Sequence, residues 1–301
     1  MPGSKISIKL PNGEMRKVFI IAETGAAHRK SYARCIALID AARAAGADAV
    51  KFSAFKPEEM TLKSGDPPFV ITEGPWSGRN LYDLYDEIAI PYEWLPDLRR
   101  ATKSAGLEFI LSVYHPNTVP ILAELGVKTV KIASFELNYV ELLTELAKDP
   151  YVKKILLSTG GGTEKEITAA LEILKYKDVV LLYCVSEYPA KTSDMNLVML
   201  EDMRKFGKKL GLSNHTQALS VPLMAVTLGA CVIETHIKLD DDNLDASFAV
   251  FPDKFAAMVD IVRQAELIMG KVDYDRTKSY HRKKMNGEML RVVWQKTSNA
   301  T

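Results

Sequence analysis

AAGADAVKFSAF (44–55) passes from the end of a helical segment, through a glycine, into an apolar run of strand-forming residues. TLGACVI (227–233) repeats that step near the other end of the chain. The step decides the fold, because everything between its two copies divides in the same way. Short runs of Val, Ile and Leu recur at VFIIAE (18–23), AVKFSAF (49–55), EFILSVY (108–114) and TVKIAS (129–134). They continue at KILLST (154–159), VVLLYCV (179–185), KLGLSN (209–214) and CVIETHI (231–237). Near-continuous apolar runs, rather than strict alternation, suit parallel strands covered on both faces.

Segments with helical spacing lie between them. SYARCIALIDAARAAGA (31–47) places Ala33, Ile36, Ala37 and Ala41 on one expected stripe and stops at Gly46. PYEWLPDLRRATKSAG (91–106) starts on a proline and ends on a glycine, so Pro96 falls in its first turn or breaks it. Further helices are expected near 116–125, 138–148, 163–175, 195–206, 217–228 and 253–269. Eight alternations predict an α/β chain folded as one (β/α)8 TIM barrel over 18–270, for which about 250 residues is typical. An N-terminal extension (1–17) and a short C-terminal tail (271–301) flank it. An open doubly wound sheet would want GxGxxG after its first strand, and ETGAAHRK (23–30) carries one glycine.

Residues 56–90 form a long connection in which Pro67, Pro68, Gly74, Pro75 and Gly78 argue against regular structure. A loop of that length suits a lid or a binding element. The tail has a basic HRKK (281–284) and an apolar LRVVW (290–294), and reads either as an arm for a neighbouring subunit or as a loosely held terminus.

Lys+Arg (39) and Asp+Glu (38) nearly cancel over the 301 residues, so no global field points to nucleic acid or a membrane surface. An anionic ligand must then be held by local groups. VPLMAVTLGACVI (221–233) falls short of the ~20 residues a membrane helix needs, and the first residues lack a signal-peptide core. Cys35, Cys184 and Cys231 form no CxxC pair and read as reduced core residues of a cytoplasmic protein.

In such a barrel the working residues sit where strands end. Those positions hold Glu23, Lys51, Ser112, Lys131 with Ser134 and Glu136, Ser158 with Thr159, Ser186, Ser213 with His215, and His236. Two lysines inside strands are costly unless paired or facing an anion. They read either as a Lys–Glu pair closing the barrel or as an anion site, where ammonium and hydroxyl groups suit phosphate and carboxylate oxygens. His215 and His236 end neighbouring strands. They read either as hydrogen-bonded core residues or as two ligands of a divalent ion, with Glu23 or Asp245 completing the shell or holding a metal-bound water. STGGGT (158–163) reads equally as a phosphate cradle at a helix N-terminus or as ordinary turn chemistry.

FIIAETGAAH (19–28), AGADAVKFSAF (45–55), KIASFEL (131–137), LLSTG (156–160), LLYCVSEYP (181–189) and DMNL (194–197) occur in order. GLSNHT (211–216), TLGACVIETH (227–236) and FPDKFAAMV (251–259) follow. Together they resemble the sialic acid synthase family, phosphoenolpyruvate-dependent enzymes that make nine-carbon nonulosonic acids. TLKSGDPPFVITEG (61–74) and NLYDLY (80–85) are most similar to that family's pseudaminic acid branch.

The resemblance implies a transferase that condenses phosphoenolpyruvate with the open-chain aldehyde of an acetamido hexose and releases phosphate. The sugar would be a 2,4-diacetamido-2,4,6-trideoxy-altrose type or N-acetylmannosamine. It implies that His215 and His236 bind Mn2+, or Mg2+ or Co2+ in its place. Lys51, Ser112, Lys131, Ser134, Ser186 and Ser213 would hold phosphoenolpyruvate. Glu23 and Asp245 would orient a metal-bound water, Glu136 would handle a proton, and Tyr188 would contact the sugar. It leaves room for a homodimer. Where the family carries Asn, Asp, Lys and Ser, this chain has Ala27, Asn214, Thr235 and Ala249. The family's barrel continues into a small antifreeze-like domain, and the reading expects a chain ending at Thr301 without it. Two other readings stand beside this one. One is phosphoenolpyruvate condensation with another aldose; the other is a barrel that binds sugar or phosphoenolpyruvate without turnover and needs a partner.

Overall fold

The computed structural model of the chain describes residues 17–74 and 76–270. The proposed extension is thus represented by Lys17 alone, and the tail with HRKK and LRVVW lies outside the described residues.

Eight parallel strands close on themselves in chain order. They are β1 (Phe19–Glu23), β2 (Ala49–Ala54), β3 (Glu108–Val113), β4 (Thr129–Ile132), β5 (Lys154–Ser158), β6 (Asp178–Tyr183), β7 (Lys209–Asn214) and β8 (Val232–His236). Seven of them fall inside the runs read from the sequence, and β6 starts one residue ahead of its run, at Asp178. Helices α1 (Tyr32–Ala44), α2 (Pro57–Met60), α3 (Leu81–Ile88), α4 (Leu95–Ser104) and α5 (Val119–Leu125) belong to the first half of the chain. They are followed by α6 (Val140–Lys148), α7 (Glu164–Ile173), α8 (Met199–Asp202), α9 (Ser220–Thr227) and α10 (Pro252–Met269).

The period of two along each strand sorts side chains to two places. One parity faces the helices: Val50, Phe52, Leu111, Val130, Ile132, Leu157, Leu212 and Ile233 join the large core between barrel and helix ring. The other parity fills the barrel, with Ile21, Ala49, Ile110, Leu156, Val180, Leu182 and Val232 forming a separate dry cluster. Two residues further along the same inward parity come Glu23, Lys51, Ser112, Ser158, Cys184 and Glu234. An apolar floor therefore supports a polar layer at the C-terminal end of the strands, where barrel sites are built.

Several local expectations are corrected. The buried face of α1 is Cys35, Leu38, Ile39 and Ala42 rather than the alanine stripe, because Leu and Ile remove more apolar surface from water than Ala does. The segment 56–90 is not devoid of regular structure. Pro57 and Pro67 open short helical turns, where a missing N–H costs nothing, and LYDLYDEI forms α3 behind an Asn80 cap. Pro96 sits in the first turn of α4, which starts at Leu95 after a separate 3-10 turn. The helix expected over 195–206 shrinks to α8 plus a 3-10 turn, because DMNL is spent on an irregular approach with Asn196 at φ 38°.

Candidate active site

Strand register brings the two lysines and two carboxylates into one layer. Glu23 pairs across β1 with both Lys51 and His236, Ser112 with Lys131, and Ser213 with Glu234. Lys51 Nζ lies 2.6 Å from Glu23 Oε2 and 3.1 Å from Glu234 Oε2, while Lys131 Nζ lies 4.0 Å from Glu234 Oε1. All four residues are at most 5% exposed. The Lys–Glu reading and the anion reading of these lysines are thus compatible. The two lysines share two carboxylates, and the Ser112 hydroxyl in the same layer has no hydrogen-bond partner among the described residues.

Burial pulls Lys51 down to about 8, against the opposing charge of Glu234 and with the help of Lys131, so it stays an ammonium at neutral pH. Burial alone would raise the Glu234 carboxyl, yet Lys51 and Lys131 hold it well below the usual range. Glu234 is a residue the sequence reading missed. Its signal was parity: it stands two residues before His236 on the same strand.

Ser213 links the charged layer to the imidazoles. Its hydroxyl donates to Glu234 Oε1 at 2.9 Å and lies 3.4 Å from His215 Nε2. His215 donates from Nδ1 to the Val185 carbonyl at 2.8 Å, and His236 Nδ1 bonds Asp245 Oδ2 at 3.0 Å. Each ring is thereby oriented through one nitrogen and left with Nε2, which is how a metal-ligating imidazole is usually held. The ring centroids are 5.6 Å apart. Burial and the neighbouring His236 lower His215 to about 3, so it is neutral. Among the described residues no cage of three or more His, Cys, Asp or Glu groups is gathered. The donor set fits an ion held by two imidazoles, the rest of its shell being water or substrate. Asp245 accepts from the Ala26 N–H as well, and Glu23 from the Gly25 N–H, which fixes both carboxylates beside His236.

On the β4–β6 side, Ser134 Oγ lies 3.1 Å from Cys184 Sγ and accepts the Gly160 N–H at 3.2 Å; Cys184 Sγ is 3.9 Å from Ser186 Oγ. A Cβ on Gly160 would lie 2.2 Å from Ser186 Oγ, 2.8 Å from Cys184 Sγ and 2.9 Å from Ser134 Oγ. The cluster therefore needs glycine there. Cys184 is buried as expected, but it belongs to this polar cluster rather than to plain core; its inward parity was the signal. STGGGT contributes through Gly160 and not through a bare helix end, since Thr163 and Glu166 close the first turn of α7 as a capping box. The buried Ser158 hydroxyl has no hydrogen-bond partner. A cavity of about 480 Å³ opens outward from Cys184 and Ser186 between α7 and α8.

The remaining predicted residues line the same mouth. Tyr188 packs 4.3 Å from the His215 ring and 5.1 Å from Phe248, and Phe248 lies 4.9 Å from His236, all between centroids. Phe248 was missed, as was Trp76, 6.3 Å from Tyr188. Glu136 is half-buried with Oε2 unpartnered, and burial lifts its carboxyl to about 7 against the pull of Lys131. Of the four departures, Asn214 and Thr235 share the outward parity of Leu212 and Ile233. Asn214 bonds Thr216, and Thr235 lies against Met258. Neither thins the mouth.

One buried and one half-buried group set opposite acid responses. Burial lowers His28 to about 4, so between roughly pH 4 and 6.5 the unfolded chain binds a proton that the folded one refuses, and stability rises with pH. Glu136 works the other way. From its ordinary value up to about 7 the folded protein keeps a proton that the unfolded chain has lost, so stability falls with rising pH. Melting temperatures of wild type and Glu136→Gln across pH 4.5–7.5 are expected to diverge, the variant gaining on wild type as pH rises. Parallel curves would contradict the buried carboxyl.

Fold and site together define a (β/α)8 barrel whose mouth sets a half lined by lysine, hydroxyl and thiol groups beside an imidazole pair. Residues 38–274 match the model described as the NeuB family. The chain is 40% identical to a pseudaminic acid synthase of Campylobacter jejuni over 86% of its own length and 78% of that protein. It is 31% identical to an N,N'-diacetyllegionaminic acid synthase of Legionella pneumophila, over 88% and 77%. The crystal structure of an N-acetylneuraminic acid synthetase from Leptospira borgpetersenii, in complex with citrate, superposes with a TM-score of 0.78 at 25% identity, covering 98% of each chain. The chain belongs to the NeuB family and is an enzyme of the transferase type. No helix among the described residues is long and apolar enough to cross a membrane.

Proposed function

We propose that this chain condenses phosphoenolpyruvate with the open-chain aldehyde of an N-acylated amino sugar, giving a nonulosonic acid and inorganic phosphate. The observation that carries the reading is the convergence of Lys51, Lys131 and Ser213 on Glu234 at one barrel mouth, with His215 reached through Ser213 and His236 beside His215. The synthase names of the relatives agree with it. In this reading Lys51, Lys131, Ser112 and Ser213 take one end of phosphoenolpyruvate, and Ser134 and Ser186 take the other. A divalent ion on His215 and His236, Mn2+ or Mg2+ or Co2+, would supply Lewis acidity to the aldehyde oxygen.

The electron pair of the enol double bond forms the new carbon–carbon bond from C3 of phosphoenolpyruvate to the aldehyde carbon. C2 becomes oxocarbenium-like, and Lys51 and Glu23 stand ready around it. Glu23 and Asp245 orient the water that adds to C2, Glu23 taking one of its protons; the adduct then breaks its C2–O bond, and the remaining hydroxyl proton leaves with the phosphate. Glu136, with its carboxyl near neutrality, can give a proton to the new alkoxide. Tyr188 lies against the sugar. Most of the rate in such a site comes from holding anion, aldehyde and water together among fixed charges.

Mass spectrometry of the product tests the reaction class: the acid should exceed the sugar by one pyruvic acid. A product equal in mass to the sugar would mean that no bond formed. Gly160→Ala tests the anion half. The added methyl displaces the tips of Ser134, Cys184 and Ser186, so the KM for phosphoenolpyruvate should rise roughly 10-fold or more, the cost of about one charge-assisted hydrogen bond. The KM for the sugar should change little. Equal rises for both substrates would place the cluster elsewhere. The proposed partner in solution is a second copy of the chain, and the proposed compartment is the cytoplasm.

A further inference from the structure

The two halves of the mouth differ in chemistry. The β4–β6 side is hydroxyl, thiol and backbone N–H; the side over the imidazoles is aromatic. Trp76 completes that aromatic side from far away in sequence. Val70 and Asn80 form an antiparallel bridge, Ile71 N–H donates to Arg79 O at 2.9 Å and Gly78 N–H to Ile71 O at 2.8 Å. This small hairpin rises from the β2–β3 connection and carries Trp76 across to the β8–α10 loop. There the indole N–H donates to the Leu244 carbonyl at 3.3 Å, beside Asp245. The indole continues the row Trp76, Tyr188, Phe248 that stands against His215 and His236. Trp76 is only half-buried, although it is the largest apolar side chain of its loop.

The hydrogen-bonding capacity of this wall is small. The one donor of Trp76 is spent on Leu244, and Phe248 has none, which leaves the Tyr188 hydroxyl. A sugar hydroxyl brought against such a wall loses water without gaining a partner, whereas a methyl gains buried area. Resting on the condensation reading above, we infer that Trp76 determines acceptor specificity, its indole favouring an acceptor that sets a methyl group rather than a hydroxymethyl against this wall. A wall of this kind separates a methyl from a hydroxymethyl by roughly 10- to 200-fold.

The experiment compares wild type, Trp76→Ala and Trp76→Phe with two acceptors: a 6-deoxy diacetamido hexose, and N-acetylmannosamine, which carries a hydroxymethyl. Wild type should favour the deoxy sugar by at least about 10-fold in kcat/KM. Trp76→Ala should bring the two within about 3-fold, with the KM for phosphoenolpyruvate unchanged, and Trp76→Phe should fall between. A preference that survives in Trp76→Ala, or an equal rise in both KM values, would overturn the assignment.

Binding is read separately with the alditol of the deoxy sugar, which has no aldehyde and cannot react. In the presence of phosphoenolpyruvate it should quench tryptophan fluorescence in wild type and not in Trp76→Phe. Equal quenching in both, or none in wild type, contradicts the inference. Quenching that depends on Trp76 in a protein that releases no phosphate from phosphoenolpyruvate would sink the condensation reading and leave the wall standing.

Discussion

Glu234→Ala is expected to lose roughly 100- to 1,000-fold in kcat/KM and to melt roughly 6–15 °C below wild type. The carboxylate is 2% exposed and meets three residues of the polar layer at once: Lys51 at 3.1 Å, Lys131 at 4.0 Å and Ser213 at 2.9 Å. Its removal leaves Lys131 without its ion pair, with only the more distant Glu136 carboxyl, and Lys51 with Glu23 alone. Breaking a buried pair from one side costs about 3–5 kcal/mol, because the remaining charge is uncompensated. That energy corresponds to the melting shift given for a chain of this size and, felt at the site, to the rate loss. Glu234→Gln separates shape from charge. It keeps an oxygen for Ser213 and the volume that spaces the lysines, so it should recover most of the stability. The added positive charge should not raise the KM for phosphoenolpyruvate. An alanine variant with wild-type melting and kinetics would show that the network does not organise the mouth.

His236→Ala is expected to keep the barrel folded and to lose about 1,000-fold or more in metal-dependent turnover, the scale of several kcal/mol of charge stabilisation. The side chain is 14% exposed and sits at a strand end, so its removal exposes no core. Calorimetric titration of metal-free wild type with Mn2+ should show one site, and His236→Ala and His215→Ala should show none. Asp245→Asn keeps both imidazoles but weakens the bond that orients His236, and should bind the ion roughly 10- to 100-fold less tightly. Undiminished Mn2+ binding and turnover in His236→Ala would remove the metal from the account.

The barrel was legible because its strands are short, apolar and regularly spaced, and seven of the eight runs contain the strand found there, the eighth missing only Asp178 at the start of β6. Burial on both faces leaves few other uses for such a run. The residues at strand ends were legible for the same reason: Glu23, Lys51, Lys131, Ser213, His215 and His236 are polar where the pattern turns from core to loop. Glu234 was within reach by the parity rule, since it stands two residues before His236 on the same strand, next to Thr235. Thr235 in fact faces α10 and Met258, away from the mouth.

Loop residues were harder to read. Trp76 and Phe248 reach the site through a hairpin and a turn, where neither period two nor period 3.6 operates, and nothing local marks which way they face. Gly160 could be read as turn chemistry or as a close approach, and only the distances to Ser134, Cys184 and Ser186 decide between them. The prolines of 56–90 misled because a proline that ends one helix is equally suited to begin another.

The most direct measurement is phosphate release from phosphoenolpyruvate with Mn2+, scanned over the 6-deoxy diacetamido hexose, N-acetylmannosamine and simple aldoses. The account predicts release in step with consumption of an N-acylated amino sugar, and none without a sugar. Binding of phosphoenolpyruvate and metal with no phosphate released from any of these acceptors would contradict it.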